Sequence, residues 1–371
     1  MSEKIQIPFY GIDRFFNEHS DKLTKIFKAV GTTGKMLMGE EVDVFEKELA
    51  LFCSRKYALS VSSCTDALFF ALLSANIKAG DEVIVPSFSF IATVTPVLQA
   101  GAIPVFVDIL PDFLSIDIED LKKKITSKTK AIIFVHLFGS FCPIDEIAEI
   151  AKEKKIFLIE DNAHSLGSIS VDNIKAGTHG DISCISFDPT KVIGGFGTAG
   201  ALLTDNEFIY NYVIKLRHQG KNPNNGQHDV IGYNSRISTF QAAMLSYQLN
   251  MIDILIEKRQ NIAKYYNTII DNLTGIDYVQ KNSKSTFHKY VIKTSKRNEL
   301  QNYLKSKGIQ TMIHYDKALF EHDLFKHYKH KAENISMVHV VKQTVLSLPI
   351  YPELKDFEAE YAANCIKEFY K

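Results

Sequence analysis

The chain has 371 residues, 46% of them hydrophobic, with 43 Lys and Arg set against 43 Asp and Glu. That length carries a large α/β unit and a smaller one around a substantial core. A formal charge of zero without a marked basic patch argues against nucleic acid as a partner, and no apolar run is long enough to span a bilayer.

From about residue 57, short apolar runs alternate with helical patterns. The runs at 57–61, 83–86, 104–107, 131–137, 156–160, 182–187 and 201–204 are continuous rather than alternating, which predicts strands buried on both faces. Between them, 66–75, 143–154 and 207–218 have helix length. Strand–helix alternation predicts a mostly parallel sheet flanked by helices, with ligands gathered at the carboxyl ends of its strands. Lys122-Lys123-Lys124 reads as a helix face. Residues 219–233 carry Gly220, Pro223, Asn224, Asn225 and Gly226 and read as a long loop, of a length that is usually functional or mobile. One helical pattern runs from Thr239 to about Asn261 and leaves the large unit. Strand material at 289–293 and 347–349 belongs to a smaller α+β C-terminal domain, so the expected division is 1–250 and 251–371.

Five cysteines (Cys53, Cys64, Cys142, Cys184 and Cys365) are odd in number and form no CxxC, which argues for a reducing compartment and against a disulfide framework or a zinc site. The start, MSEKIQIPFYG, has no basic-then-apolar leader, and the expectation is a cytoplasmic protein.

Three segments carry chemistry. Ser186-Phe187-Asp188-Pro189-Thr190-Lys191 ends one strand and precedes Gly194, Gly195, Gly197 and Gly200. Lys191 is either a surface loop lysine or, desolvated between strand and glycine-rich turn, a nucleophilic amine of lowered pKa. Glu160-Asp161-Asn162-Ala163-His164 ends another strand. An aspartate there either caps the next turn or faces the ligand crevice, where it can pair with a protonated pyridine nitrogen. His164 is a satisfied, half-buried histidine or a contact to the ring oxygen of the same ligand. Ser62-Ser63-Cys64-Thr65-Asp66 joins a strand to an Ala/Leu-rich helix. Helix N-terminal amides bind phosphate, and Ser186 offers a hydroxyl to it; the plainer reading is an N-cap at Thr65-Asp66. The Asp66 side chain should then point away while its amide donates.

Gly195-Phe196-Gly197-Thr198-Ala199-Gly200 fits GxGxxG, but it runs into a strand instead of opening a helix, so a dinucleotide site is rejected.

Taken together and in order, the segments resemble the DegT-type sugar aminotransferases, pyridoxal-phosphate enzymes of the aspartate aminotransferase fold (fold type I). The likeness covers nearly the whole chain, from Gly39-Glu40-Glu41-Val42 and Phe45-Glu46 through Ser62–Leu68, Gly80–Phe88, Pro104–Asp108 and His136–Gly139. It continues through Glu160-Asp161, Ser186–Lys191, Gly232–Arg236 and His314-Tyr315 to Leu346–Pro349.

The resemblance implies that Lys191 holds pyridoxal 5'-phosphate as a Schiff base and then moves the proton. It implies Asp161 on the pyridine nitrogen, Phe90 stacked on the ring, His164 near the ring oxygen, and Thr65, Asp66 and Ser186 on the phosphate. It further implies a homodimer in which Asn234 reaches the phosphate of the neighbouring subunit. The implied reaction moves an amino group from L-glutamate to a nucleotide-linked keto sugar, such as a dTDP-linked 3- or 4-keto-6-deoxyhexose destined for surface polysaccharide. Another fold type I reaction on amino acids, or a cofactor-binding regulator without turnover, are the alternatives. Departures from the family pattern are Cys64 for a common glycine, Ser238-Thr239-Phe240 for an acidic pair, and Asp316 for a frequent proline. The retained Lys191 argues against the related dehydratases, which carry histidine there.

Overall fold

A computed structural model describes residues 5–282 and 284–371; the first four residues of the start read above lie outside it. In chain order the large unit contains α1 (Ile12–Thr33), α2 (Glu40–Phe52), β1 (Tyr57–Val61), α3 (Cys64–Ser74), β2 (Glu82–Pro86) and α4 (Thr95–Gln99). There follow β3 (Ile103–Val107), α5 (Ile118–Lys124), β4 (Thr129–Val135), α6 (Asp145–Lys154), β5 (Phe157–Asp161), β6 (Ile182–Ser186), β7 (Gly200–Thr204), α7 (Glu207–Arg217) and α8 (Thr239–Leu249).

All seven expected strands form one sheet in the order β1-β7-β6-β5-β4-β2-β3, with β7 antiparallel to both neighbours and every other pairing parallel. The apolar runs are continuous because both faces are covered. Val83, Val85, Ile133 and Ile159 pack with Leu68, Phe70 and Leu72 of α3 on one face. Ile84, Ile132, Phe134 and Leu158 pack with Ile147 and Ile150 of α6 on the other, where Phe45 of α2 and Leu245 of α8 also cover Ile185 and Leu203. Strand alternation thereby separates two adjacent acids: Asp161 shares the α3 face with Ile159, and Glu160 shares the α6 face with Leu158.

Beyond α8 come α9 (Ile252–Ile270), β8 (Ile276–Tyr278), β9 (Tyr290–Thr294), α10 (Arg297–Ser306), α11 (Met337–Thr344), β10 (Val345–Leu348) and α12 (Asp356–Phe369). The antiparallel sheet β10-β9-β8 is covered by residues of α9, α10 and α12 around Tyr266, Tyr290 and Leu300. Two details differ from expectation. The single helical pattern beginning at Thr239 is two helices, broken at Asn250-Met251, where Met251 leaves helical geometry at φ −119°. Their apolar faces serve different neighbours: α8 packs with α2, while α9 starts there and ends among the residues of the small sheet. Strand β8 is only three residues long, too short to stand out by composition.

Residues 219–233 contain neither helix nor ladder strand; the loop is tied by bridges Lys221↔His228 and His218↔Asn234. The lysine triplet does lie on a helix, with Lys122 paired to Glu119 at 2.9 Å and Glu146 at 2.6 Å. All five cysteines are free and buried. No helix among the described residues is long and apolar enough to cross a membrane.

Candidate active site

A cavity of about 400 Å³ opens at the carboxyl ends of β5 and β6, beside the N-terminus of α3. Six of the sequence-expected residues line it: Thr65, Phe90, Asp161, His164, Ser186 and Lys191.

Asp161 is the last residue of β5 and is 4% exposed. Its Oδ2 accepts the Thr93 hydroxyl at 2.9 Å, and Oδ1 accepts the Ala163 amide at 3.2 Å. Thr93 lies in turn 2.9 Å from the Ser89 hydroxyl. Among the described residues no cation pairs with this carboxylate. Burial raises its pKa, and the Thr93 and Ala163 hydrogen bonds only partly offset that. A cation placed against it would restore its charge. Glu160, on the opposite face, is consumed structurally: it contacts His136 at 3.0 Å and accepts the amides of Gly177, His179 and Gly180. Burial opposes its charge, but these partners outweigh burial and hold its carboxyl low.

Lys191 sits in the turn after β6, its amine drawn into the cavity and without an acidic partner among the described residues. Burial lowers its pKa against the opposing pull of Cys64, Asp188 and Asp161. A neutral amine is the nucleophilic form. The Asp188 carboxylate is already occupied by the Thr190 amide and hydroxyl at 3.0 and 2.7 Å.

His164 accepts the Phe138 amide on Nδ1 at 3.2 Å, which leaves the ring proton on Nε2. The Phe90 ring is 53% exposed at the cavity mouth, 6.1 Å from Tyr315.

Helix α3 starts two residues earlier than its sequence suggests, because the N-cap is Ser63, whose hydroxyl accepts the Asp66 amide at 3.1 Å. The amides of Cys64 and Thr65 precede the first intrahelical bonds and remain available at the cavity. Gly200, at the start of β7, permits this approach: a Cβ there would meet the Cys64 nitrogen and the Ser63 carbonyl carbon at 2.4 Å, both backbone atoms. The last glycine of the rejected GxGxxG pattern thus serves helix–strand packing.

Two expected residues stand apart. Asp66 does not line the cavity; its amide is spent on Ser63 and its carboxylate accepts the Ser235 hydroxyl at 2.5 Å. Asn234 is exposed outside the cavity of its own chain, with Oδ1 3.4 Å from Arg236. Conversely, Tyr10, Ser89, Thr93, His288 and Lys289 join the lining without having been singled out. Only the small sheet and the N-terminal segment, folding back over the large one, place Tyr10, His288 and Lys289 there.

The donor set fits pyridoxal phosphate: an unpaired buried carboxylate for a pyridinium, a buried amine of lowered pKa for an aldehyde, and free helix amides for a phosphate. The comparisons agree. A model of the DegT/DnrJ/EryC1/StrS aminotransferase family matches residues 17–367. A pleiotropic regulatory protein of Geobacillus stearothermophilus is 32% identical over 99% of this chain and 99% of its own. GDP-perosamine synthase of Vibrio cholerae is 33% identical over 90% of this chain and 91% of its own. The crystal structure of ntda from Bacillus subtilis with bound cofactor PMP superposes with a TM-score of 0.91 at 29% identity, covering 99% of this chain and 86% of that one. Further relatives are named for dTDP- and UDP-linked amino sugars. The chain belongs to the DegT/DnrJ/EryC1/StrS aminotransferase family, whose cofactor is pyridoxal phosphate.

Proposed function

We propose that the protein transfers an amino group from L-glutamate to the ketone of a nucleoside-diphosphate-linked sugar. The acceptor we favour is a dTDP-linked 3- or 4-keto-6-deoxyhexose, and the product a building block of surface polysaccharide such as O-antigen. One observation carries this reading: Asp161 and Lys191, a carboxylate without a cation and an amine without an anion, face the same cavity.

When bound, the cofactor supplies an electron sink for the carbon that loses its proton. The chain's own residues do the rest. Asp161 keeps a proton on the ring nitrogen, and the Thr93 hydroxyl orients its carboxylate. His164 offers its Nε2 proton to the ring oxygen. The Cys64 and Thr65 amides, with the Thr65 and Ser186 hydroxyls, hold the phosphate. Phe90 covers the ring at the mouth and limits water. With the cofactor bound, Lys191 would hold its aldehyde carbon and, once free, would carry the proton taken from the donor carbon as an acid/base. Asp66 supports the phosphate site by fixing α3 rather than by touching the ligand. We further propose a homodimer in which Asn234 completes the partner's phosphate site, and chain units divided at residue 250.

A regulator without turnover is the second reading, favoured by the names of the Geobacillus relative and of a sensory transduction protein of Saccharopolyspora erythraea. Absorbance spectra separate the two. Protein with pyridoxal phosphate should show a yellow band that L-glutamate bleaches and a keto-sugar nucleotide restores. No band, or the same band in Lys191→Ala, overturns the site assignment; a band that no amino donor alters favours the regulator.

A further inference from the structure

Lys289 presents a second buried amine in the same cavity. It is 5% exposed and, like Lys191, lines both the main cavity and a smaller adjoining one of about 80 Å³. It immediately precedes β9, so the small sheet carries it in. Its Nζ lies 3.2 Å from the Tyr10 hydroxyl, 4.4 Å from the centre of the Tyr10 ring and 5.3 Å from that of Phe9. Among the described residues it has no carboxylate partner. Asp188 is the one acid that acts on it, and Asp188 is committed to Thr190. Beside it, the buried His288 ring leaves Nδ1 without a hydrogen-bond partner. Burial, then the charges of Lys191 and Arg259, push the pKa of this amine well below the ordinary lysine value, and an anion placed against it would restore its charge.

Resting on the transaminase reading above, we infer that Lys289, steadied by Tyr10, binds a carboxylate of the amino donor. The chemistry of the donor places it there. An amino acid whose nitrogen reacts next to Lys191 carries its α-carboxylate one bond from the reacting carbon. A dicarboxylic donor brings a second carboxylate two methylenes further. Either group is within the small space that the two lysines share. Lys289 is thus a specificity-determining residue that selects an anionic donor, while the uncharged sugar ring makes no such demand.

The test uses protein loaded with pyridoxal phosphate. Isothermal titration with glutarate, a dicarboxylate without a reactive amine, compares wild type, Lys289→Met, Lys289→Arg and Tyr10→Phe. Loss of a charge-assisted hydrogen bond predicts a dissociation constant raised about tenfold or more in Lys289→Met, with Lys289→Arg close to wild type and Tyr10→Phe in between. Single-turnover bleaching by L-glutamate and by L-alanine then identifies the carboxylate. Half-saturation raised for both donors assigns the α-carboxylate; half-saturation raised for glutamate alone assigns the side-chain carboxylate. In both cases the limiting rate changes much less than the half-saturation. Unchanged glutarate binding in Lys289→Met and Tyr10→Phe, or an effect confined to the sugar nucleotide, overturns the inference. If Lys289→Met does not fold, the Tyr10→Phe titration decides. A wild type that binds glutarate through Lys289 but is bleached by no amino donor refutes the transaminase reading instead.

Discussion

The Thr93 hydroxyl donates to Asp161 Oδ2 at 2.9 Å and joins the carboxylate to a short chain of hydroxyls that ends at Ser89. Thr93 lies in a 3-10 turn after β2 and Asp161 ends β5, so the hydrogen bond aligns two loops at the carboxyl edge of the sheet.

Thr93→Val keeps the shape of the side chain and removes this donor. A hydrogen bond to a charged group is worth about 1.5–3 kcal/mol, so cofactor affinity should fall about tenfold. Asp161→Asn removes the charge itself and should cost more, because a neutral amide does not hold a proton on the pyridine ring. Equilibrium dialysis with pyridoxal phosphate ranks the two variants. Equal affinity in wild type and Thr93→Val would refute the orienting role.

Gly200→Ala tests the approach of β7 to α3. The added Cβ would collide with the Cys64 nitrogen and the Ser63 carbonyl carbon, neither of which can rotate away. The N-terminus of α3 must shift, at about 1–3 kcal/mol for overpacking. The expected result is a lower urea midpoint together with weaker cofactor binding.

The fold was legible because a sheet covered on both faces writes itself as unbroken apolar runs, and all seven strands followed from that pattern. Lys191 and Asp161 drew notice for a related reason, since Asp161 ends such a strand and Lys191 lies in the turn that follows another. The choice between Glu160 and Asp161 rested on position and likeness; the sheet supplies its physical cause by turning them to opposite faces. The cap of α3 was not legible at Thr65-Asp66, because Ser63, three residues before the expected helix, accepts the Asp66 amide instead. Tyr10 and Lys289 were not legible at all. They are 279 residues apart, and no local pattern records that their side chains meet.

Arg217 and Glu46 form a buried ion pair at 2.5 Å, and Glu46 also accepts the Ser60 amide at 2.8 Å. The pair fastens α7 to α2 across β1, far from the chemistry. Removing one partner strands a buried charge, at about 3–5 kcal/mol. Arg217→Met should therefore lower the urea midpoint strongly while the folded fraction keeps its yellow band. A variant as stable as wild type would mean that water reaches Glu46.

Burial holds three histidines around the cavity neutral: His164 and His288 far below the ordinary histidine value, and His314 at about 3. In the unfolded chain each takes up a proton near pH 6.5. Below that pH the unfolded state binds more protons than the folded one, so stability falls as pH falls from 6.5 toward 3. Urea unfolding of cofactor-free protein should show midpoints that are level above pH 7 and drop between pH 6.5 and 5, before most carboxylates titrate. His314→Gln should flatten part of that drop. A midpoint unchanged down to pH 5 would mean that these rings are already protonated in the folded protein.

Asn234 is exposed on its own subunit and absent from its own cavity, which sets up a complementation experiment. In a dimer with shared sites, Lys191→Ala disables the site that the subunit owns, whereas Asn234→Ala disables the phosphate contact of its partner's. A mixed dimer then has one site with both defects and one with neither. Random exchange of subunits between two such variants leaves about a quarter of all sites intact in a two-fold assembly. Two weakly active preparations, dissociated together and reassembled, should therefore regain a clear fraction of wild-type turnover and of tightly held cofactor. If Asn234 instead serves its own subunit, the mixed dimer carries two damaged sites and mixing restores nothing. The same null result would follow from a monomer, and sedimentation of the mixture separates those two explanations.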